Sequence, residues 1–148
     1  MHSTVIACDN CGRKNRVPAS ATGVPRCASC HTPLPWIVEA GETSYGSVAE
    51  QAAIPVLVDL WAPWCGPCRM VSPALERLAH EFAGRLKLVK VNVDESPNLS
   101  RRYEVQGIPT LLLLDRGRVL SRQIGAAPES TLRAWLDGAL AARSAGTA

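Results

Sequence analysis

Two kinds of hydrophobic pattern alternate along most of this chain: short apolar runs, and apolar residues spaced three or four apart. Short, near-continuous apolar runs are typical of central strands covered on both faces. Such a run occupies 55–61, and a second apolar strand is predicted at 111–114. Further strands are predicted at 86–93, at Trp36–Glu39 and, after a hairpin turn at 115–117, at 118–124. Apolar residues spaced three or four apart predict helices between the strands. The helices are predicted at about 43–51, at 65–82, briefly from 94–97, and from Pro128 to a fraying end at 144–148. The order βαβαβαββα indicates an α/β domain with a mixed sheet and helices on both faces.

One charged residue interrupts the first of these central strands. Asp59 stands inside the apolar run 55–61, two residues before Trp61 and on the same face by alternation. Burial raises the pKa of a carboxyl group, so an acid here can carry a proton near neutral pH. The alternative is an acid at the edge of the pleat that pairs with Lys90. Both can hold, because a nearby lysine would tune the acid.

Composition sets limits on the class of protein. The chain has 148 residues, 47% apolar and 20% charged, which is typical of one globular domain with a small appendage. Its formal net charge of +3 is too small to argue for nucleic acid or a membrane surface as a partner. No apolar stretch approaches the ~20 residues of a membrane span, and no signal peptide is visible. We therefore expect a cytoplasmic protein in a reducing compartment.

All six cysteines fall in C-x-x-C pairs, and the first two pairs lie near the start of the chain. They are Cys8, Cys11, Cys27 and Cys30, with fifteen residues between the pairs. This spacing is a strong signature of a structural zinc site, in which two knuckles supply four thiolates in a tetrahedron. The surrounding segment has too few apolar side chains for a core of its own, so metal ligation would supply its folding energy. We therefore predict a zinc-ribbon-like segment over 1–34 with one structural Zn²⁺, and a main domain over 35–148.

Other interpretations of these four cysteines are weaker. Two disulfides conflict with a reducing compartment. A catalytic zinc would need an open coordination position, which four sulfur ligands do not leave. His31 could replace a neighbouring ligand, but beside four cysteines it is expected to be a solvated loop residue. Nucleic-acid binding would need aromatic residues interleaved with the basic ones. Because zinc thiolates are oxidisable, a redox-responsive zinc site is a further hypothesis.

The third pair, Cys65 and Cys68, lies between a predicted strand and a predicted helix. The N-terminus of a helix presents unpaired N–H groups and the positive end of its dipole to the first sulfur, which favours the thiolate. Cysteines three residues apart at this position can also close a disulfide without unwinding the backbone. We expect Cys65 at the exposed tip of the helix and Cys68 one turn in, where it is more shielded. Half of a metal site, or a pair of buried thiols, is the alternative for a bare C-x-x-C motif.

Four motifs together resemble the thioredoxin family. They are Val58–Ala62, Trp64–Cys68, Gly107–Thr110 and the Gly125 that follows the edge strand. The resemblance covers about residues 37–142 and implies the thioredoxin fold. Its combination with a four-cysteine N-terminal segment is similar to the thioredoxin 2 branch of bacteria. The resemblance implies a protein-disulfide reductase whose redox-active disulfide needs no bound organic cofactor.

The same resemblance implies roles for individual residues. Cys65 would be the attacking thiol, and Cys68 would resolve the mixed disulfide. Asp59 would be the buried base for Cys68, with Lys90 adjusting its pKa. Pro109 would be cis and face the cysteines. The substrate-binding residues would be Trp64, Gly66, Pro67, Gly107, Ile108 and Gly125.

The residues between the two cysteines indicate the direction of the reaction. A histidine there would stabilise the thiolate and favour an oxidant or isomerase, whereas Gly66–Pro67 offers no charge and indicates a reductant. The resemblance implies an NADPH-dependent thioredoxin reductase as electron donor and disulfide-containing proteins as substrates. We expect a monomer with neither nucleic-acid nor membrane partners. An oxidase or isomerase of secreted proteins and a non-enzymatic interaction module are the alternatives.

Overall fold

The chain begins with a two-stranded antiparallel sheet. The computed structural model describes residues 3–146, with side chains up to residue 143. Strands β1 (Ser3–Ala7) and β2 (Lys14–Pro18) pair so that Ser3 lies opposite Pro18. Cys8 and Cys11 lie in the connection between the two strands, and the second cysteine pair lies in the loop that follows β2.

The main sheet has five strands in the order β3-β5-β4-β6-β7. They are β3 (Ile37–Glu39), β4 (Val56–Trp61), β5 (Lys87–Asn92), β6 (Thr110–Asp115) and β7 (Arg118–Ile124). Strands β3 and β4 both pair in parallel with β5, whereas β6 runs antiparallel to β4 and β7 runs antiparallel to β6. The mixed sheet predicted from the hydrophobic pattern is therefore confirmed.

The helices lie close to their predicted positions. Those described are α1 (Gly66–Glu81), α2 (Pro97–Arg102), α3 (Glu129–Gly146) and a π-helical segment, Gly46–Glu50. The π-helical segment takes the place of the brief helix expected at about 43–51. Helix α3 includes residues 144–146, which were expected to fray, while 147 and 148 lie outside the described residues. No helix within residues 3–146 combines the length and the apolar character needed to cross a membrane.

Each face of the main sheet carries a hydrophobic cluster. On one face, Leu57, Leu88 and Leu111 pack with apolar side chains of α1 and α3. On the other face, Val58 and Val89 pack with side chains of the π-helical segment and α2. Helices therefore cover both faces, as predicted, and the alternation along β4 places Asp59 on the face covered by α1.

The N-terminal segment contributes to the second of these clusters. Ile6, Val17 and Leu34 are buried in the same cluster as Trp36 and Val38. These apolar residues thus obtain from the main sheet the burial that they cannot provide for one another. The boundary predicted between residues 34 and 35 falls inside this shared cluster.

A buried lysine adds a polar link between the same elements. Lys87 on β5 is fully buried, and its Nζ donates hydrogen bonds to the carbonyl oxygens of Ala19 and Val48. The ammonium also lies 4.0 Å from the centroid of the Trp36 ring. Burial lowers the pKa of Lys87 to about 8. One side chain therefore joins β5, the π-helical segment and the N-terminal segment.

The N-terminal segment contacts α1 near the helix's C-terminal end. Asp9 Oδ2 lies 2.7 Å from Nδ1 of the exposed His80. A Cβ atom added to Gly84 would lie 2.9 Å from Cβ of Pro33, which shows how closely the two backbones approach. At 1.5 Å per residue, Cys65 and His80 are about 22 Å apart along the helix. The N-terminal segment therefore lies at the far end of α1 from the Cys65–Cys68 turn.

Candidate active site and cysteine cluster

The Cys65–Cys68 turn joins the end of β4 to the start of α1. Cys65 is the N-cap of α1, and its Sγ accepts a hydrogen bond from the backbone N–H of Cys68 at 3.1 Å. Pro67 occupies the first turn, where a residue without an N–H costs no helical hydrogen bond. The two cysteines form a disulfide with their Cα atoms 5.3 Å apart. The helix start thus holds both sulfurs in one small ring.

The expected difference in exposure between the two cysteines is wrong for this oxidised form. Cys65 and Cys68 are each 3% exposed. The backbone nitrogen of Cys68 lies 3.1 Å from the Cys65 Sγ, and the carbonyl oxygen of Ile108 lies 3.6 Å from the same sulfur. Trp61 packs against the pair. A partner must therefore approach Cys65 across the loop that carries Ile108.

That loop comes next to the disulfide from a distant part of the sequence. The Ile108–Pro109 peptide bond is cis, which confirms the expectation for Pro109. The backbone N–H of Gly125 donates to the carbonyl oxygen of Pro109 at 2.8 Å, so the start of β6 and the end of β7 meet here. Gly125 has φ of 85°, in the left-handed region that favours glycine. A Cβ on Gly107 would lie 3.7 Å from Ile124.

Trp64 is the most exposed of the predicted substrate-binding residues that carry a large side chain. It is 67% exposed, and its indole Nε1 donates to Asp94 Oδ2 at 2.9 Å. The hydrogen bond fixes one end of the ring while the rest remains open to solvent. Gly66 and Pro67 lie beside it at the start of α1.

Asp59 is buried beneath the active-site helix. It is 2% exposed, and its Oδ1 has no hydrogen-bond partner. Burial raises the pKa of Asp59 from 3.8 to about 6, and the positive charge of Lys90 opposes this rise. The burial of this acid, predicted from the sequence, is confirmed.

Lys90 is the neighbour of Asp59 in the sheet but not its direct partner. The two residues are paired in register on β5 and β4. The Lys90 Nζ donates instead to Ser72 Oγ on α1 at 2.9 Å and lies 3.7 Å from Glu76 Oε1. No ion pair within 4 Å joins Lys90 to Asp59 among the described side chains, so the alternative of an acid paired directly with Lys90 is not supported. The lysine acts on the acid through space.

The four N-terminal cysteines converge on one point. Their Sγ atoms all lie within 4.8 Å of one another, and all four are free thiols rather than disulfides. The two knuckles have the same backbone design. Gly12 N–H donates to Cys8 O at 2.8 Å and His31 N–H to Cys27 O at 2.9 Å, with both donor residues at positive φ. His31 therefore has a defined place in the second knuckle, more than the solvated loop role that we expected.

The spacing of the sulfurs fits a tetrahedral metal site. With metal–sulfur bonds of ~2.3 Å, the edges of a tetrahedron of thiolates are about 3.8 Å long. The Sγ atoms of Cys8 and Cys30 are 3.6 Å apart, and those of Cys11 and Cys27 are 3.5 Å apart. Within residues 3–143 this is the one group of three or more metal-ligating side chains that converge. Among the described residues, therefore, no further metal-ligating side chains converge on Cys65 and Cys68.

Comparison with known proteins identifies the family. The Thioredoxin family model matches residues 25–138. This chain belongs to the thioredoxin family. The thioredoxin of Haemophilus influenzae is 43% identical over 101 residues, which cover 68% of this chain and 94% of that protein. The thioredoxin of Acidithiobacillus ferridurans is 43% identical over 104 residues, covering 70% and 96%. Chloroplastic thioredoxin M5 of Oryza sativa is 42% identical over 108 residues, covering 73% of this chain and 63% of the rice protein.

Family membership and the Cys65–Cys68 disulfide together establish the chemistry. This thioredoxin is a protein-disulfide reductase, a thiol-disulfide oxidoreductase with a redox-active disulfide. Its four clustered N-terminal cysteines fit the thioredoxin 2 type. The fold is the thioredoxin fold with a small N-terminal ribbon.

Sequence reasoning missed three polar residues that the structure brings into play. Lys87 lies in the strand predicted at 86–93, but Lys90 and Asn92 lie there too, so no local pattern sets Lys87 apart. Ser72 stands four residues after Cys68 and is therefore on the same side of α1. Asp94, by contrast, is 30 residues from Trp64, and no local pattern joins the two.

Proposed function

We propose that this thioredoxin reduces disulfides of cytoplasmic proteins and takes its electrons from an NADPH-dependent thioredoxin reductase. The Cys65–Cys68 pair at the start of α1, beside the loop at Ile108–Pro109, is the observation that carries the proposal. The Gly66–Pro67 insert brings no positive charge to the pair, which favours a reductant over an oxidant.

In the first step, the Cys65 thiolate attacks one sulfur of the substrate disulfide. The N–H of Cys68 and the positive end of α1 favour the negative charge on that sulfur. The substrate S–S bond breaks as the Cys65–substrate bond forms, and the second substrate sulfur leaves as a thiolate that takes a proton from solvent.

Docking for this step uses the surface around the disulfide. An extended substrate segment lies against the loop that contains Gly107 and Ile108, with its backbone paired to that of Ile108. Trp64 on one side and Gly125 on the other border this segment. The exposed indole of Trp64 supplies apolar contact area, and the absence of a side chain at Gly125 leaves room for the substrate backbone.

In the second step, Cys68 resolves the mixed disulfide. Asp59 accepts the proton of the Cys68 thiol, because an acid whose pKa is about 6 exchanges protons efficiently near neutral pH. The Cys68 thiolate then attacks Cys65 Sγ, the bond to the substrate breaks, and the substrate leaves as a thiolate. Two electrons have passed to the substrate, and the reductase returns two electrons to the Cys65–Cys68 disulfide.

Insulin reduction coupled to NADPH and thioredoxin reductase tests this assignment. We expect Cys65→Ser to abolish turnover and Cys68→Ser to stall as a covalent mixed disulfide that can be isolated with its substrate. Turnover by Cys65→Ser would refute the assigned nucleophile. A cell in which Cys65→Ser fully replaces the natural protein would favour an interaction module instead.

We propose in addition that the four N-terminal cysteines hold one structural Zn²⁺. The donor set fits the ion, and when bound the ion would supply ligation energy that holds the two knuckles together. The site lies at the far end of α1 from the disulfide, so its ligands take no part in the reaction itself. Metal analysis of the purified protein tests the proposal, with one equivalent of zinc expected and loss of that zinc in Cys11→Ser.

The redox response of this site is tested separately. Peroxide titration with a zinc indicator, followed by the insulin assay, is expected to release zinc as the thiolates oxidise. Unchanged activity after complete zinc release would limit the site to a structural role.

A further inference from the structure

The Lys90 ammonium is hydrogen-bonded to α1 rather than to Asp59, its register partner in the sheet. Neighbouring strands lie about 4.8 Å apart, so a lysine paired in register with Asp59 can reach the carboxylate directly. Its Nζ instead donates to Ser72 Oγ at 2.9 Å. The Asp59 Oδ1, meanwhile, has no hydrogen-bond partner. A partnerless carboxyl oxygen beside an ammonium that is bound elsewhere needs an explanation.

The charged groups around Lys90 lie on β3, β4 and α1. Asp59 faces it from β4, and Glu39 is its register partner on β3. Glu76 Oε1 on α1 is 3.7 Å away but half exposed, so solvent weakens its pull. On the β6 side the register neighbour of Asp59 is Leu111, which carries no charge. Ser72 is the nearest of these groups and is itself uncharged.

The position of Ser72 connects it to the reacting sulfur. Cys68, Ser72 and Glu76 follow one another at intervals of four residues, so they form one stripe along α1. This stripe faces the side of the sheet that carries Asp59 and Lys90. Ser72 is only half buried, so its hydroxyl is not required for core packing.

We propose that Ser72 is a positioning residue for proton transfer: its hydroxyl holds the Lys90 ammonium away from Asp59 and thereby keeps the carboxyl free to exchange a proton with Cys68. A direct ion pair would favour the ionised carboxylate and weaken its affinity for a proton. With the ammonium held at Ser72, the positive charge of Lys90 lowers the free-energy cost of ionising Asp59, but the two side chains form no direct ion pair. The proposal rests on the role given above to Asp59 as proton acceptor.

The test measures the titration of Asp59 directly by carboxyl ¹³C NMR of the oxidised protein. Removing both anchors that Lys90 has on α1, in Ser72→Ala/Glu76→Gln, leaves its two register partners, the buried Asp59 and the exposed Glu39. We expect Asp59 to bind its proton at least about tenfold more weakly in this variant, as an acid does beside a paired cation. Glu76→Gln alone and Ser72→Thr, which keeps the hydroxyl, are expected to titrate within about twofold of the natural protein.

A Lys90→Met background separates positioning from a general structural effect. There, adding Ser72→Ala/Glu76→Gln is expected to leave the Asp59 titration unchanged. A titration that does not weaken in the double variant, or that weakens equally without Lys90, overturns the proposal.

The resolving step, followed by rapid mixing across the pH range, gives a second readout. We expect its pH profile to move toward acid together with the Asp59 titration. If Asp59→Asn resolves the mixed disulfide as fast as the natural protein, the proton-acceptor role of Asp59 fails, while the NMR titration still decides whether Ser72 positions Lys90.

Discussion

Replacing Asp59 with asparagine is expected to stabilise the protein, and to do so only above acidic pH. In the folded protein, burial raises the pKa of Asp59 from 3.8 to about 6. The folded state therefore binds this proton more tightly than the unfolded chain does. The associated stability is fully present below about pH 4 and is lost as the pH rises through about 6.

The size of the effect follows from the difference between the two pKa values. A difference of about 2.2, at 1.36 kcal/mol for each pKa unit, corresponds to about 3 kcal/mol over the whole transition. Between pH 4 and pH 7.5 the difference in free energy of unfolding between the variant and the natural protein changes by most of this amount, about 2 to 3 kcal/mol. Because Asp59 is only 2% exposed, solvent screening reduces the figure little. Asparagine has the same shape but no ionisation, so any packing cost that it brings does not vary with pH.

The assay is guanidinium unfolding of the oxidised natural protein and Asp59→Asn at several pH values. We expect the variant's advantage in free energy of unfolding to grow by about 2 to 3 kcal/mol from pH 4 to pH 7.5. Asp137→Asn, which makes the same substitution at an exposed acid 3.9 Å from Arg85, serves as the surface control. A difference for Asp59→Asn that does not change with pH would refute the burial argument. The same substitution is expected to slow resolution by Cys68, so stability and activity would move in opposite directions.

Three further substitutions test other contacts described above. Gly84→Ala is expected to destabilise the fold by about 1–3 kcal/mol in guanidinium unfolding, because its φ is 85° and its new Cβ would lie 2.9 Å from Pro33. Burial lowers the pKa of Lys87 from 10.5 to about 8, so the unfolded chain holds this proton more tightly and the free energy of unfolding rises between about pH 8 and 10.5. Lys87→Met is expected to remove that rise, which is at most about 3 kcal/mol. An identical slope with pH in the variant would contradict the burial of the charge. Asp94→Ala frees the indole of Trp64 and is expected to raise the KM for insulin about two- to tenfold with little change in kcat, the equivalent of one hydrogen bond; an unchanged KM would show that the Trp64 ring needs no fixed orientation.

Local patterns predicted the main domain because the residues that define its strands and its disulfide lie close together in the sequence. The apolar run around Asp59 indicated both the central strand and its buried acid. The spacing of Cys65 and Cys68, together with the helix that follows, placed the disulfide at a helix start. The resemblance added the cis bond before Pro109, which no local pattern of this chain requires.

What sequence reasoning missed depends on packing between distant segments. The preference of Lys90 for Ser72 over Asp59 depends on how far α1 stands above the sheet, and hydrophobic periodicity does not report that distance. The equal burial of the two active-site cysteines depends on the approach of the Ile108 loop in the oxidised form. The predicted boundary at residue 34 rested on the local pattern Pro33–Pro35, and such a pattern cannot reveal that Leu34 and Trp36 enter one cluster.

The shared cluster has a consequence for how this chain is made. Ile6 and Val17 are synthesised well before Val89 and Leu112, which belong to the same cluster. At ~5–20 residues per second, the ribosome takes roughly 4–20 seconds to supply those later strands. During that interval the first four cysteines lie on a nascent segment that has no sheet to pack against, so they are open to metal capture and to oxidants alike. Packing of the segment against the main sheet then buries Cys8 and Cys27, while Cys11 stays exposed in the folded protein.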